Sequence, residues 1–254
     1  MTSSNPAFSQ DMFAGYDQVY GAERTRSTVT TVQGSVSKTF LLLGILSFTA
    51  LYAYHTFGTA NFPQILLPIS AIGGFIVAMI TIFRPTTAPI TAPIYAALEG
   101  VFLGAISRVY DIQFALKYPE GIALQAVMLT SGVLLMMLFI YGTRLIRVTE
   151  KLQAGIVAAT GALALFYIVS MVLRLFGVEM PLIWSTSVYG IGFSLFVVGL
   201  AAFNLLLDFD FIEKAAHAGA PKYMEWYGAF GLMVTLIWLY LEVLRLLAKL
   251  ADRR

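Results

Sequence analysis

The feature that most constrains this chain is a series of seven apolar stretches, each close to bilayer length, separated by short polar breaks. They run over residues 38–57, 63–83, 91–109, 121–143, 152–176, 182–207 and 224–247. A helix needs about 20 predominantly apolar residues to cross the hydrocarbon core, and backbone groups exposed to lipid must bond within their own helix. The expected fold is therefore all-α: a polytopic membrane protein with a bundle of seven transmembrane helices. The breaks fall at Gly58 to Pro63, Arg84-Pro85, Asp111 to Glu120, Arg144 to Lys151, Gly177 to Pro181, and the polar run that begins at Asp208. Composition agrees, with 59% hydrophobic and 12% charged residues. A soluble domain carries about 25% charged residues, and half that density cannot cover a water-facing surface.

The loops are too short for a second domain. The reading is one transmembrane domain over residues 38–254, preceded by a polar cytoplasmic tail over residues 1–37. No apolar core starts near Met1, so a cleaved signal peptide is not expected. A net charge of +2 without a basic tail gives no purchase on nucleic acid. The chain has no cysteine and only two histidines, His55 and His217. That excludes disulfides, thiol catalysis and a multi-histidine metal site, and no Ser-His pair lies within the apolar segments. The chain is read as a non-enzyme with no resident cofactor or metal, and the bilayer is its first partner.

Lys and Arg in the connecting segments set the orientation. With the N-terminus inside, the inner side collects nine: Arg24, Arg26, Lys38, Arg84, Arg144, Arg147, Lys151, Lys214 and Lys222. The outer loops collect three, Arg108, Lys117 and Arg174, and the C-terminal tail adds Arg245, Lys249, Arg253 and Arg254 outside. Small residues recur within the segments, including Gly73-Gly74, Gly100 with Gly104, and Gly155 with Gly161. Such positions let helices approach closely. Trp184, Trp226, Tyr223 and Tyr118 sit near segment ends as interface anchors.

Ionisable side chains inside these segments are the informative residues, because each costs ~2.5–3.5 kcal/mol on insertion scales and needs a partner or a wet cavity. Glu99 lies about 10 Å along the third helix from Ala92. It reads either as an interhelical hydrogen-bonded clamp or as a proton or ion site. Asp208 and Asp210 close the sixth segment in Leu205-Leu-Leu-Asp-Phe-Asp-Phe-Ile212. Two residues apart on a helix, they point in different directions. Carboxylates at a helix C-terminus oppose the macrodipole, so a compensating group is expected. Asn204, one turn before Asp208, is one candidate, and Arg84 at the inner end of the second helix is the obvious counter-charge. Glu225 opens the seventh helix, where a carboxylate suits the dipole. Glu242 sits in Trp238-Leu-Tyr-Leu-Glu-Val-Leu-Arg-Leu-Leu, with Arg245 on the same face three residues on. His55 and Arg174 lie near outer helix ends, and His217 reads as a loop residue.

These residues carry a resemblance. Leu207-Asp208-Phe-Asp-Phe-Ile212 and Leu239-Tyr240-Leu241-Glu242-Val243 resemble the two acidic motifs of the Bax inhibitor-1 (transmembrane Bax inhibitor motif) family of seven-helix proteins. Tyr95, Glu99-Gly100 and Phe102-Leu103-Gly104, with the Asn5-Pro6-Ala7-Phe8 opening, resemble its bacterial branch. The resemblance implies a bacterial cytoplasmic membrane protein that acts as a pH-sensitive passive calcium leak. It implies a carboxylate pair that shares or loses a proton, with a basic latch in the second helix. Carried over, Asp208 is the first carboxylate and Arg84 the latch. The second is open between Glu242, the motif match (though a glutamate where the family has aspartate), and Glu225, the nearer along the chain. Two carboxylates brought close in low dielectric cannot both ionise cheaply. Losing the shared proton separates them or admits a hard cation such as calcium. The implied sensing set is Asp208, Asp210, Glu242, Glu225 and Glu99, with calcium or protons as the transported or sensed ions. The alternative function is a regulator that binds other membrane proteins, in proteolysis or stress responses, without transport.

Overall fold

In a computed structural model, residues 28–59, 62–63, 65–177 and 185–253 are described. Asn5 to Phe8, Arg24, Arg26 and Trp184 lie outside them. Among the described residues, seven helices are long and apolar enough to span a bilayer. They are α1 (Val32–Thr56), α2 (Leu66–Phe83), α3 (Ala88–Gln113), α4 (Ile122–Gly142), α5 (Glu150–Leu175), α6 (Val188–His217) and α7 (Met224–Arg253). A 3-10 turn, Pro85–Thr87, leads into α3. Among the described residues there is no strand, only an isolated bridge between Val29 and Pro221. The chain is an integral, multi-pass, all-α membrane protein. Phe40, Phe48, Phe75, Phe83 and Phe139 are all exposed, as side chains bathed in lipid must be. α7 is the most enclosed helix: 61% of its apolar window is buried, against 17% for α1, α2 and α5.

Helix ends follow local chemistry more closely than hydropathy does. α1 starts at Val32 rather than 38, because Thr31 caps it by accepting from Gly34 N. Thr149 caps α5 in the same way through Leu152 N, and Glu150 in the first turn complements the dipole. α4 has no cap of its own and follows Gly121 at φ 89. Asp111 supplies the cap from α3, its Oδ1 accepting from Ala123 N at 2.8 Å.

The largest departure is α6, which continues to His217, ten residues past the expected end at 207. Asp208 and Asp210 therefore lie inside a helix, and the expected clash with its C-terminal dipole does not arise. The extra turns are polar but internally paired: Lys214 bonds Asp210 and His217 lies near Glu213, both at i,i+4 spacing. Lys214 and His217 place positive charge in the last turn, where the dipole favours it. His217 is thus a helix-end residue rather than a loop residue. Gly219, at φ 62, then turns the chain toward α7.

The chain divides into two compact units. One comprises Met1–Val109 with Asp210–Val234, the other Tyr110–Phe209 with Thr235–Arg254. In the first unit, α1 and α3 meet backbone to backbone. A Cβ at Gly100 would overlap Thr49 Oγ1 and the Leu46 carbonyl, and one at Gly104 the Ala50 carbonyl. This is the small-residue packing that the Gly100 and Gly104 spacing anticipates. Tyr95 meets Phe230 edge to face at 5.1 Å between centroids. The second unit is centred on Ile156, Leu163, Val197 and Leu200, with Phe166, Phe193 and Trp238 packed around them. Gly155, Gly161, Gly192 and Gly199 have nothing within 4 Å of a built Cβ, so they are not close-approach positions among the described residues.

Candidate functional site

Within the second unit, the C-terminal part of α7 carries a row of polar residues. Thr235, Glu242 and Lys249 recur at intervals of seven residues. That spacing keeps them on one side of the helix, about 10 Å apart per interval. All three are buried, at 8%, 2% and 4% exposure, so none of them reaches water by snorkelling.

At the lower position, Asp208 of α6 takes a hydrogen bond from the Thr235 hydroxyl. Its other oxygen, Oδ2, is closed off from solvent and has no hydrogen-bond partner among the described residues. At the middle position, Glu242 is chelated. Arg245 Nη1 donates to both carboxylate oxygens at 2.8 Å, and the Tyr167 hydroxyl of α5 donates to Oε1 at 3.1 Å. Arg245 also donates to the Tyr167 hydroxyl oxygen at 3.0 Å. At the upper position, the Lys249 ammonium donates to the Gly190 carbonyl at 2.9 Å and to Ser194 Oγ at 2.8 Å, both on α6.

The expected carboxylate pair is not assembled in this arrangement. The α7 group recorded on Asp208 is a hydroxyl, while Glu242 is held by its own arginine and tyrosine. Asn204 does not bond Asp208 either: its amide donates to Thr160 Oγ1 and the Leu200 carbonyl, both at 2.9 Å. In the first unit, Glu225 is fully buried. Its Oε1 accepts from Thr31 N at 3.0 Å, Thr31 Oγ1 at 2.9 Å and Lys222 Nζ at 2.7 Å, while Lys38 Nζ stands 3.5 Å from Oε2. Asp210, also in that unit, is committed to Lys214. Glu99 is not an interhelical hydrogen-bonded clamp. It makes no recorded hydrogen bond or ion pair among the described residues, and its carboxylate lies against the bare backbone of Gly74, where a Cβ would come within 2.6 Å of Oε1. Arg84 is exposed at the end of α2, with no ion pair recorded among the described residues.

Thr235 and Lys249 were not among the expected site residues. The signal was present as the seven-residue recurrence through Glu242, but attention to carboxylates passes over a threonine and over a lysine that resembles a tail charge. Among the described residues no group of three or more His, Cys, Asp or Glu could hold a metal.

Seven helices of spanning length and apolar composition among the described residues define an integral, multi-pass membrane protein. The family model described as Bax inhibitor 1 like matches residues 5–252, and the chain belongs to that family. No curated protein and no solved structure gives a significant match.

Proposed function

We propose that this protein is a passive leak for cations, calcium foremost, in which a proton and the cation compete for the Asp208 carboxylate. One observation carries this reading: Asp208 keeps one oxygen shielded from solvent and unpartnered among the described residues. An intramembrane carboxylate costs several kcal/mol to insert, and packing alone gives no reason to leave half of it unsatisfied. Such an oxygen suits a hard cation or a proton. Glu242, Glu225 and Asp210 are held by basic partners and position helices on this reading. The reading needs no bond-making chemistry. Before α7, Lys and Arg number nine on the inner side against three in the outer loops, which supports an N-terminus inside; the four at the C-terminal end of α7 weaken that bias without reversing it.

The test is calcium entry into liposomes that contain only the purified chain and an internal indicator. Flux rises with pH, because a proton on Asp208 excludes the cation. Asp208→Asn, which cannot ionise, lowers flux at least about tenfold, equivalent to ~1.4 kcal/mol of barrier, and flattens the pH profile. Wild-type flux in that variant removes Asp208 from the pathway. No flux from folded wild type rejects the leak in favour of a regulator that works by binding other membrane proteins.

A further inference from the structure

We infer that the Gly190 carbonyl and Ser194 hydroxyl form a cation site whose resident is the tethered ammonium of Lys249, and that this ammonium closes the polar row of α7 to free cations. The inference rests on the leak reading for its consequence, but not for the site itself.

A buried lysine ordinarily has a carboxylate beside it, because a desolvated charge is expensive. Lys249 is 4% exposed, yet its hydrogen bonds go to two uncharged oxygens, and the carboxylate that acts on it, Glu242, lies seven residues back along α7 and is itself bonded to Arg245. No ion pair is recorded for it among the described residues. The groups held in position are a backbone carbonyl and a hydroxyl one helical turn apart, the oxygen donors that ordinarily replace a cation's water shell. An ammonium has three donors, and two are used here. The α6 end that supplies the oxygens is also its N-terminal end, where the macrodipole disfavours positive charge. Simple helix-end complementarity therefore explains the lysine from the α7 side only.

The backbone around the site is built for close approach. Gly190 lies under the Ser185 carbonyl, and a side chain at 190 would overlap it. The next polar position down the row is Glu242, already neutralised by Arg245. The row from Asp208 toward the C-terminal end of α7 therefore ends on a fixed positive charge. A free cation meeting a resident ammonium finds its oxygens taken and like charge in place.

The test uses the full chain with Lys249→Gln, Lys249→Ala, Lys249→Arg and Ser194→Ala. Gln keeps a donor for the two oxygens but removes the charge, and Arg keeps the charge. In liposomes, Lys249→Gln is expected to raise calcium flux at least tenfold over wild type. Lys249→Arg should stay near wild type, and Ser194→Ala, which removes one oxygen, should fall between. Independently of flux, the melting temperature of Lys249→Ala in detergent should rise by several degrees in ammonium chloride over equimolar tetramethylammonium chloride, with no such difference in wild type. Flux in Lys249→Gln equal to a wild type that leaks through Asp208 overturns the closure. Absence of ammonium stabilisation in Lys249→Ala overturns the site. A wild type without any flux defeats the leak reading, and the ammonium comparison then decides the site alone.

Discussion

Gly104→Val is expected to prevent α1 and α3 from closing on each other and to leave little folded protein. The atoms a side chain would meet are the Ala50 carbonyl oxygen, its carbon at 2.8 Å and the Ala50 Cα at 2.9 Å. These are backbone atoms, so no rotamer change relieves the overlap and the helices must separate. Lipid tails are as apolar as the side chains they replace, so association inside a bilayer rests on van der Waals contact. Separation forfeits that contact along the whole seam. Gly104→Ala alone should cost about 1–3 kcal/mol, and the two further carbons of Val more. Gly100→Ala should behave like Gly104→Ala, since its neighbours include the Leu46 carbonyl. Gly199→Ala is the control: nothing lies within 4 Å there, and Ala gains helix propensity over Gly. Thermal unfolding in detergent reads all four. Wild-type melting of Gly104→Val would show that α1 and α3 do not meet through this residue.

The same seam shows what the sequence makes legible. Seven spans, their short connections and the close approach at Gly100 and Gly104 follow from hydropathy and from glycine spacing, because lipid imposes one requirement on every residue it touches. What hydropathy misses lies where water or the interior takes over. Asp210, Glu213, Lys214 and His217 lower the apolar signal, yet their i,i+4 pairs keep α6 helical through them. Val32 to Ser37 are likewise helical although polar, because a single hydroxyl cap at Thr31 starts the helix.

The site was legible in part. The cost of burying charge pointed to Asp208, Glu225, Glu242 and Glu99, and all four lie within helices, with Glu225 and Glu242 buried. The Glu242–Arg245 pair could be anticipated because it is local, three residues apart on one helix. The partners of Asp208, Glu225 and Lys249 could not, since they come from elements distant in sequence: Thr235 for Asp208, Thr31 for Glu225, and Gly190 with Ser194 for Lys249. Which helix face meets which neighbour depends on rotations that apolar segments do not encode. α6 is the example, where Asn204, one turn from Asp208, turns instead to Thr160 on α5.

Glu225→Ala is expected to release the start of α1 from the α6–α7 connection and to cost about 3 kcal/mol, the lower end for breaking a buried ion pair because both lysines reach water. The carboxylate gathers four groups that otherwise do not belong together: the Thr31 amide and hydroxyl, Lys222 and Lys38. Removing it leaves two ammonium groups near each other and a backbone N–H without its acceptor. Residues 28–31, which precede α1, would loosen first, because beyond the clasp they are tied to the α6–α7 connection by hydrogen bonds at Thr28 and Thr30. Thr30 N donates to the Ala220 carbonyl at 2.8 Å, its hydroxyl donates to the Pro221 carbonyl at 2.8 Å, and Lys222 N donates to the Thr28 carbonyl at 3.1 Å. Hydrogen exchange of the Thr30 and Thr31 amides should therefore quicken more than exchange in the middle of α1. Glu225→Gln keeps an acceptor for Thr31 and should lose roughly half as much, since only the ion pairs go. Gly34→Ala attacks the same clasp from the other side, because its Cβ would overlap the Glu225 carboxylate. Its effect and that of Glu225→Ala should not add when combined, as two changes at one contact do not. Additive losses, or unchanged exchange at Thr31 in Glu225→Ala, would mean that the clasp is not what seats α1 at this end.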